Sequence, residues 1–454
     1  MTVIRRNERL TNWNGTAQCV PQITARPETV AELQDLVRDT AAFPSPLRAV
    51  GSLHSLNDCL VTMGTAVRMD AFKAMGQPTG GTITVGAGVR MLELRDRLKE
   101  NGLQIEVVPE IGNATAGSVA CCGTKDASIG PQGLGQISST VVGVSMVDAN
   151  GEIVRVTDPA RIREVRSSYG LFGVVFEVTF KTIPRRALFY EYAVLDMAPV
   201  PTLETVLGAA SGFLAFLLPY RDSGRLVVER RFDTAGRISL IDEFRRGIRD
   251  RAWEFVGTVA RLPFRELWLR TVDAGLEHLL SRVDNFDTMA GDSMLDFKSG
   301  LEGAFDFAFW AFPRSTWPAA VPEYLKFCRD FKAANDFRSA LPTEIYLIRR
   351  DDSGLLSFSP DEDVFTLDLV DLVPRSRDEE HNWRLMNEQF NELAARHGAR
   401  PLLNQTKFLT TRHMQLLRQA WPAAIRQRWE EFARLRRQAD PRGRFLTPYF
   451  QSLI

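Results

Sequence analysis

The chain has 454 residues, 44% apolar and 25% charged, and its 56 basic side chains balance 56 acidic ones. That length is enough for two or three domains, and without a basic excess nothing points to nucleic acid as a partner. Five scattered cysteines with no C-x-x-C pair support neither a zinc knuckle nor a disulfide framework. The start, MTVIRRNERLTNWNG, holds no apolar leader run, and no stretch is long enough to span a bilayer, so a cytoplasmic setting is expected.

From about 20 to 190, short β-rich runs alternate with glycines and two helical periods. PETVAELQDLVRDTAA carries Val30, Leu33, Leu36 and Val37 on one face and reads as an amphipathic helix with Pro27 in its first turn. TITVGAGVRMLELRDRLKENGL reads as strand, glycine turn and helix, with Gly102 as the stop. VVGVSMVDANGEIVRVT predicts a hairpin turning at Asn150-Gly151, and GVVFEVTFKTIP predicts a strand ended by Pro184. Residues 236–283 are rich in Arg, Leu and Trp at helical spacing. AFDFAFWAFP, TEIYLIRR and DVFTLDLVDL then read as strands flanking a helix near AAVPEYLKFCRDFKAAN, a sheet covered by helices on one side. A helical tail, PAAIRQRWEEFARLRRQAD, precedes the closing PRGRFLTPYFQSLI.

The glycines narrow the chemistry. Gly86 and Gly88 follow a strand, but the third glycine of a dinucleotide fingerprint and its later acid are missing, and no P-loop is present. VGSLHS (50–55), GNATAGSVACCG (112–123) and GPQGLGQISS (130–139) read instead as small-residue loops between strands. Their amides can crowd around an anionic ligand such as a diphosphate.

These residues resemble the vanillyl-alcohol-oxidase-type flavoprotein superfamily, with its PCMH-type FAD-binding domain, closest to the alditol oxidase and sugar-1,4-lactone oxidase branch. NWNGT (12–16) is similar to the family's Asn-Trp-Ala-Gly. RAVGSLHSLND follows the R-A-x-G-x-x-H-S-x-N-D loop, and AGSVAC and GQISSTVVGVSMVDANGEIVRV resemble the second and third flavin loops. TEIYLIRRDDSGLLSFSP, GARPLLNQTKFLT and ADPRGRFLTPYF resemble a cap strand, the segment ending in an active-site lysine, and the closing D-P-x-G-x-F.

The resemblance implies an α+β, two-domain fold. Residues 1–188 would bind FAD, 189–399 would form an antiparallel cap covered by helices, and 400–454 would return to the FAD domain and active site. It implies His54 as the point of covalent attachment to the flavin 8α-methyl. Val50, Gly51, Ser52, Leu53, Ser55, Asn57 and Asp58 of the first loop are expected at the cofactor. So are Ala116, Gly117, Ser118, Ala120, Cys121 and Gly123 of the second, with Ile137, Val175 and Tyr449. Cys121 and Cys122 are expected as buried small residues packing near the flavin.

Oxidation of an alcohol requires loss of the hydroxyl proton, a reacting carbon aligned with the flavin, and stabilisation of the growing negative charge. By resemblance Glu344 would hydrogen-bond the hydroxyl or orient the lysine, and Lys407 would supply the charge. Period two puts Tyr346 on the strand face of Glu344, where relatives carry Arg. Asp368 stands at the pocket histidine of alditol oxidases, as a costly carboxylate in an apolar run or as an edge-strand residue. Gly123-Thr124-Lys125-Asp126 replaces the usual T-H-G, and Asn404-Gln405-Thr406 the usual H-W-G. These departures point away from a simple polyol, towards a less hydroxylated, aromatic-bearing or cationic small molecule.

The implied activity is oxidation of CH–OH to a carbonyl, with dioxygen reoxidising the flavin to give hydrogen peroxide. The alternatives are a dehydrogenase passing electrons to a quinone or other carrier, an enzyme acting on a lipid-linked sugar at a membrane surface, and a flavin-binding protein without turnover. Trp253, Phe255, Phe264 and Trp268 would form the interfacial helix of the membrane alternative, although cap core is the favoured reading.

Overall fold

The protein is described from a computed structural model covering residues 2–127, 135–234, 269–271, 273–275, 287–294 and 305–454. Three sheets organise it, in a mixed α+β arrangement. The first runs Val3–Arg6, Ile23–Arg26, Thr65–Arg68, Leu47–Val50; its outer pair is antiparallel and the other two pairings are parallel. Parallel neighbours need a crossover, and the helix Val30–Arg38 belongs to it. Its Leu33, Leu36 and Val37 bury against Ile23, Ala25, Leu47 and Val67. Thr29 caps this helix by accepting from Glu32 N, so Pro27 lies ahead of the first turn rather than in it.

The second sheet is antiparallel, in the order Ile153–Val156, Val141–Val147, Val174–Lys181, Thr82–Gly86. The predicted hairpin pairs Ile153 with Val147, and Gly151 takes a φ of 79° that suits glycine. Gly86 and Gly88 serve packing. A Cβ on either would sit 2.3 Å from Phe72 O or 2.2 Å from Met69 O, so the turn into the helix Met91–Lys99 can press on residues 69–73.

The third sheet is antiparallel and eight-stranded: Asp287–Ala290, Ala187–Asp196, Arg225–Thr234, Gly212–Leu218, Thr343–Ile348, Val364–Leu372, Phe305–Pro313, Arg400–Pro401. Alternation along each strand divides its residues between two faces. Trp310, Phe312, Phe365 and Leu367 pack on the helices Trp317–Asn335 and Arg377–Arg396, with Phe365 edge-on to Trp317 at 4.9 Å. Phe307, Phe309, Glu344, Tyr346 and Asp368 face the other way, towards the loops of the first two sheets. Asp368 is on an interior strand, paired in register with Glu344 on one side and Phe309 on the other, so the edge-strand reading does not hold.

Two further expectations change. AGSVAC is the helix Ala116–Cys121, not a loop. Of GPQGLGQISS, residues 130–134 lie outside the described residues, and Ile137–Thr140 forms a 3₁₀ turn. Trp253, Phe255, Phe264 and Trp268 also lie outside the described residues. Among the described residues no helix is long and apolar enough to cross a membrane.

After the helix Ala423–Ala439 the chain crosses back to the first sheet. Asp440 accepts from the backbone of Arg444 and Phe445. The Arg444 guanidinium donates to the carbonyls of Leu36 (2.9 Å), Val37 (3.1 Å) and Phe43 (2.7 Å), satisfying groups at and beyond the end of a helix distant in sequence.

Candidate active site

The strand Leu47–Val50 runs into the loop 51–55. Gly51 is required by close approach, since a Cβ there would lie 2.3 Å from Thr115 Oγ1 and 2.6 Å from Ser118 Oγ. The strained position is Leu53, at a φ of 58°. Two distant segments fix the loop. Trp13 N donates to Leu53 O and Asn12 Nδ2 to Ser55 O. Leu56 N donates to Asn404 O, and Asn57 Nδ2 to the carbonyls of Leu403 and Thr406.

His54 is thereby held 5.6 Å from the Trp13 ring, centroid to centroid. Burial lowers its pKa to about 4, so the imidazole is neutral at neutral pH. Its Nδ1 is buried with no hydrogen-bond partner among the described residues.

A cavity opens on this loop, and a smaller neighbouring one shares Arg48, Ala49, Val50, Gly51, Ser118 and Cys122 with it. Together they reach from Phe445 and Gly173–Val175 to Glu110, Glu344 and Tyr346. Of the expected cofactor residues, Val50, Gly51, Ser52, Leu53, His54, Ser55, Gly117, Ser118, Cys121 and Val175 line this space.

The others do not. Asn57 and Tyr449 form a clamp behind the loop, with Tyr449 Oη donating to Leu403 O. Asp58 is exposed at the start of a 3₁₀ turn. Ala116, Ala120 and Ile137 are core residues, and Gly123 packs beside Tyr169 Oη. Cys121 is buried with its thiol pushed up to about 11, and Cys122 lines both cavities, also with a raised pKa. Both fit packing roles.

At the inner end Tyr346 Oη lies 2.7 Å from Glu110 Oε2 and 3.1 Å from Glu344 Oε2. A phenol has one proton to give, so one acid must hold a proton of its own to complete the chain. Burial first, then the charges of Glu110 and Asp368, raises Glu344 to about 8, and burial raises Glu110 as well. Burial thus favours a proton on this pair, and Glu344, raised to about 8, is an acid that holds one at neutral pH.

Lys125 Nζ sits 3.5 Å from the Tyr346 ring centroid and 4.6 Å from that of Phe309. It pairs with Asp368 Oδ2 at 2.8 Å, and that oxygen also accepts from Thr366 Oγ1. Burial raises Asp368 to about 7, with Lys125 opposing the rise.

Lys407 lies elsewhere. Its Nζ is 2.6 Å from Asp306 Oδ1, in a buried cluster with Arg375 and the Trp383 indole. It does not line the cavity; the amine there is Lys125, and this corrects the sequence expectation. Asp368 likewise stands behind Lys125 rather than on the cavity wall. Lys125, Asn404 and Gln405 were visible only as departures from family motifs, whereas Glu110 and the Phe307–Phe309 wall carried no motif signal. Among the described residues no His, Cys, Asp and Glu group could hold a metal.

The joined space, the buried Arg48 Nε and His54 Nδ1 on it that have no partner among the described residues, and the close packing at Gly51 suit a long, partly anionic cofactor. The FAD binding domain family matches residues 21–157, and the D-arabinono-1,4-lactone oxidase family matches residues 178–453. The protein is therefore an FAD-linked oxidoreductase acting on CH–OH donors. The chain belongs to the D-arabinono-1,4-lactone oxidase family.

It is 24% identical to an L-gulono-1,4-lactone dehydrogenase of Mycobacterium tuberculosis over 98% of both chains. It is 23% identical to an L-gulonolactone oxidase of Scyliorhinus torazame over 97% of both. A D-arabinono-1,4-lactone oxidase of Candida albicans is 28% identical over 43% of this chain and 37% of that one. The crystal structure of cholesterol oxidase from B. sterolicum shares the fold, with a TM-score of 0.74 at 14% identity, covering 100% of this chain and 97% of that one.

Proposed function

We propose that this enzyme oxidises a small-molecule alcohol with FAD lying along the joined cavities and bonded through His54, and with dioxygen as final acceptor, giving hydrogen peroxide. Residues 1–188 and 400–454 hold the cofactor in this reading, and 189–399 form the substrate side. The observation that carries it is the hydrogen-bonded set Glu110, Tyr346 and Glu344 on the same cavity as His54.

Bound FAD supplies the two-electron acceptor. Glu344 in its ionised form takes the hydroxyl proton of a substrate seated against it, and Tyr346 passes proton density on towards Glu110. Lys125, tied to Asp368, favours ionised Glu344 by its charge. A neutral imidazole at His54, its Nδ1 without a hydrogen-bond partner among the described residues, is the protonation state that a nucleophilic nitrogen requires. Lys407 and Asp368 hold the walls in place. Five unpaired cysteines support a reducing, cytoplasmic setting.

Acid precipitation tests the attachment: yellow colour should stay with the protein and leave with the His54→Ala variant. A dehydrogenase is the second reading, favoured by the mycobacterial relative's activity over matched length. Stopped-flow mixing of the reduced protein with dioxygen separates the two, since an oxidase must reoxidise at least as fast as it turns over.

A further inference from the structure

A second buried cation stands behind the inner end of the cavity. Arg231 lies on the interior strand Arg225–Thr234, in register with Tyr190 and Gly212. Its Nη1 donates to Asp126 Oδ1 at 2.9 Å and its Nε to Glu229 Oε1 at 3.0 Å. Tyr192 Oη donates to the other Glu229 oxygen at 2.9 Å, and the guanidinium carbon sits 5.5 Å from the Tyr190 ring centroid. Tyr192, Glu229, Leu214 and Tyr346 follow one another in register across four strands, so Glu229 and Tyr346 share a sheet face.

Asp126 directly follows Lys125. Its N–H donates to Gly135 O, its Oδ1 also accepts from Ala127 N, and Lys125 bridges to Gln136. Two ion pairs, Lys125–Asp368 and Asp126–Arg231, therefore pin consecutive residues of one loop to two strands of the eight-stranded sheet. The surroundings are rich in acid, with Glu110, Glu344, Asp368, Asp126 and Glu229 gathered round Lys125 and Arg231. Burial raises the pKa of Glu110 and its Tyr346 hydrogen bond lowers it; the Asp126 charge then raises it, while Lys125 and Arg231 both lower it. Without Arg231, Lys125 alone would stand against the Asp126 charge.

We infer that Arg231 is a positioning residue for the oxidation: it holds Asp126, and through it the loop of Lys125, and it cancels a negative charge that would otherwise act on the Glu110–Tyr346–Glu344 chain. This rests on the proton transfer to Glu344 proposed above and adds to it a residue that lies outside the cavity lining. Arg231 acts on the proton balance of the site through its neighbours, by charge and by the placing of Lys125.

Single-turnover flavin reduction of the holoenzyme tests this, with L-gulono-1,4-lactone or D-arabinono-1,4-lactone as reductant, from about pH 6 to about pH 10. The wild-type midpoint is expected near 8. Arg231→Met should move it upward by about 1 and Asp126→Asn downward by about as much, and the double variant should return close to the wild-type value. Arg231→Lys, which keeps the charge, should hold the midpoint. Asp126→Asn carries the test alone if Arg231→Met does not fold, because loss of a mere brace would not lower a midpoint. Single variants that slow reduction without moving the midpoint in opposite directions overturn the role of Arg231 and leave that of Glu344 standing. No reduction by either lactone, or a wild-type rate without a pH step, overturns both.

Discussion

Lys125 and Asp368 stand 243 positions apart in sequence and meet at 2.8 Å, with the carboxylate fully buried. The pair joins a loop of the N-terminal half to an interior strand of the eight-stranded sheet, at the inner end of the cavity. Removing the amine leaves Asp368 desolvated without its counter-charge. Lys125→Met should therefore cost about 3–5 kcal/mol in urea denaturation. Adding Asp368→Asn should restore most of that loss, because the remaining amide needs no counter-ion.

Glu344 controls a pH profile. Its ionised form takes the proton, and its pKa lies near 8, so flavin reduction should accelerate as pH rises through that value. Lys125→Met should move the midpoint upward, since the ammonium favours the carboxylate. Glu344→Gln should cut turnover by about 10²–10⁴ with flavin retained, as read in single-turnover reduction.

The same acid sets a slope in stability. Glu344 holds its proton up to about 8 in the folded chain, against an ordinary value of 4.5. The folded state binds more protons over that window, so stability falls as pH rises across it. Glu344→Gln should flatten the fall, as denaturation midpoints from about pH 5 to about pH 8 would show.

Lys407 separates a role by motif from a role by contact. Its partner Asp306 keeps Arg375 at 2.7 Å when the lysine is lost, so Lys407→Met should cost only about 2 kcal/mol. Flavin reduction should slow less than in Lys125→Met. A larger kinetic loss at Lys407 with unchanged stability would restore it to the reacting centre.

Gly51→Ala would drive a methyl group into Thr115 and Ser118, whose hydroxyls lie 2.9 Å apart. A loss of about 1–3 kcal/mol is expected, with less flavin per chain by visible absorbance.

Local patterning made much of the fold legible. The 3.6-residue period at Leu33, Leu36 and Val37 and the Asn150-Gly151 turn depend on near neighbours, and both appear as expected. AGSVAC forms a helix although its Gly and Ser suggest a loop, because Val119 and Ala120 bury in the core. The candidate site was legible where a motif names a residue, as at His54 and Glu344. It was not legible where partners come from distant segments. Glu110 carries no local mark, and only tertiary contact shows that Lys125, rather than Lys407, turns towards Tyr346.

The Arg444 clasp bears on how the protein is made. The Leu36 carbonyl waits for a guanidinium 408 residues later, so a ribosome must pass Arg444 before that corner can close.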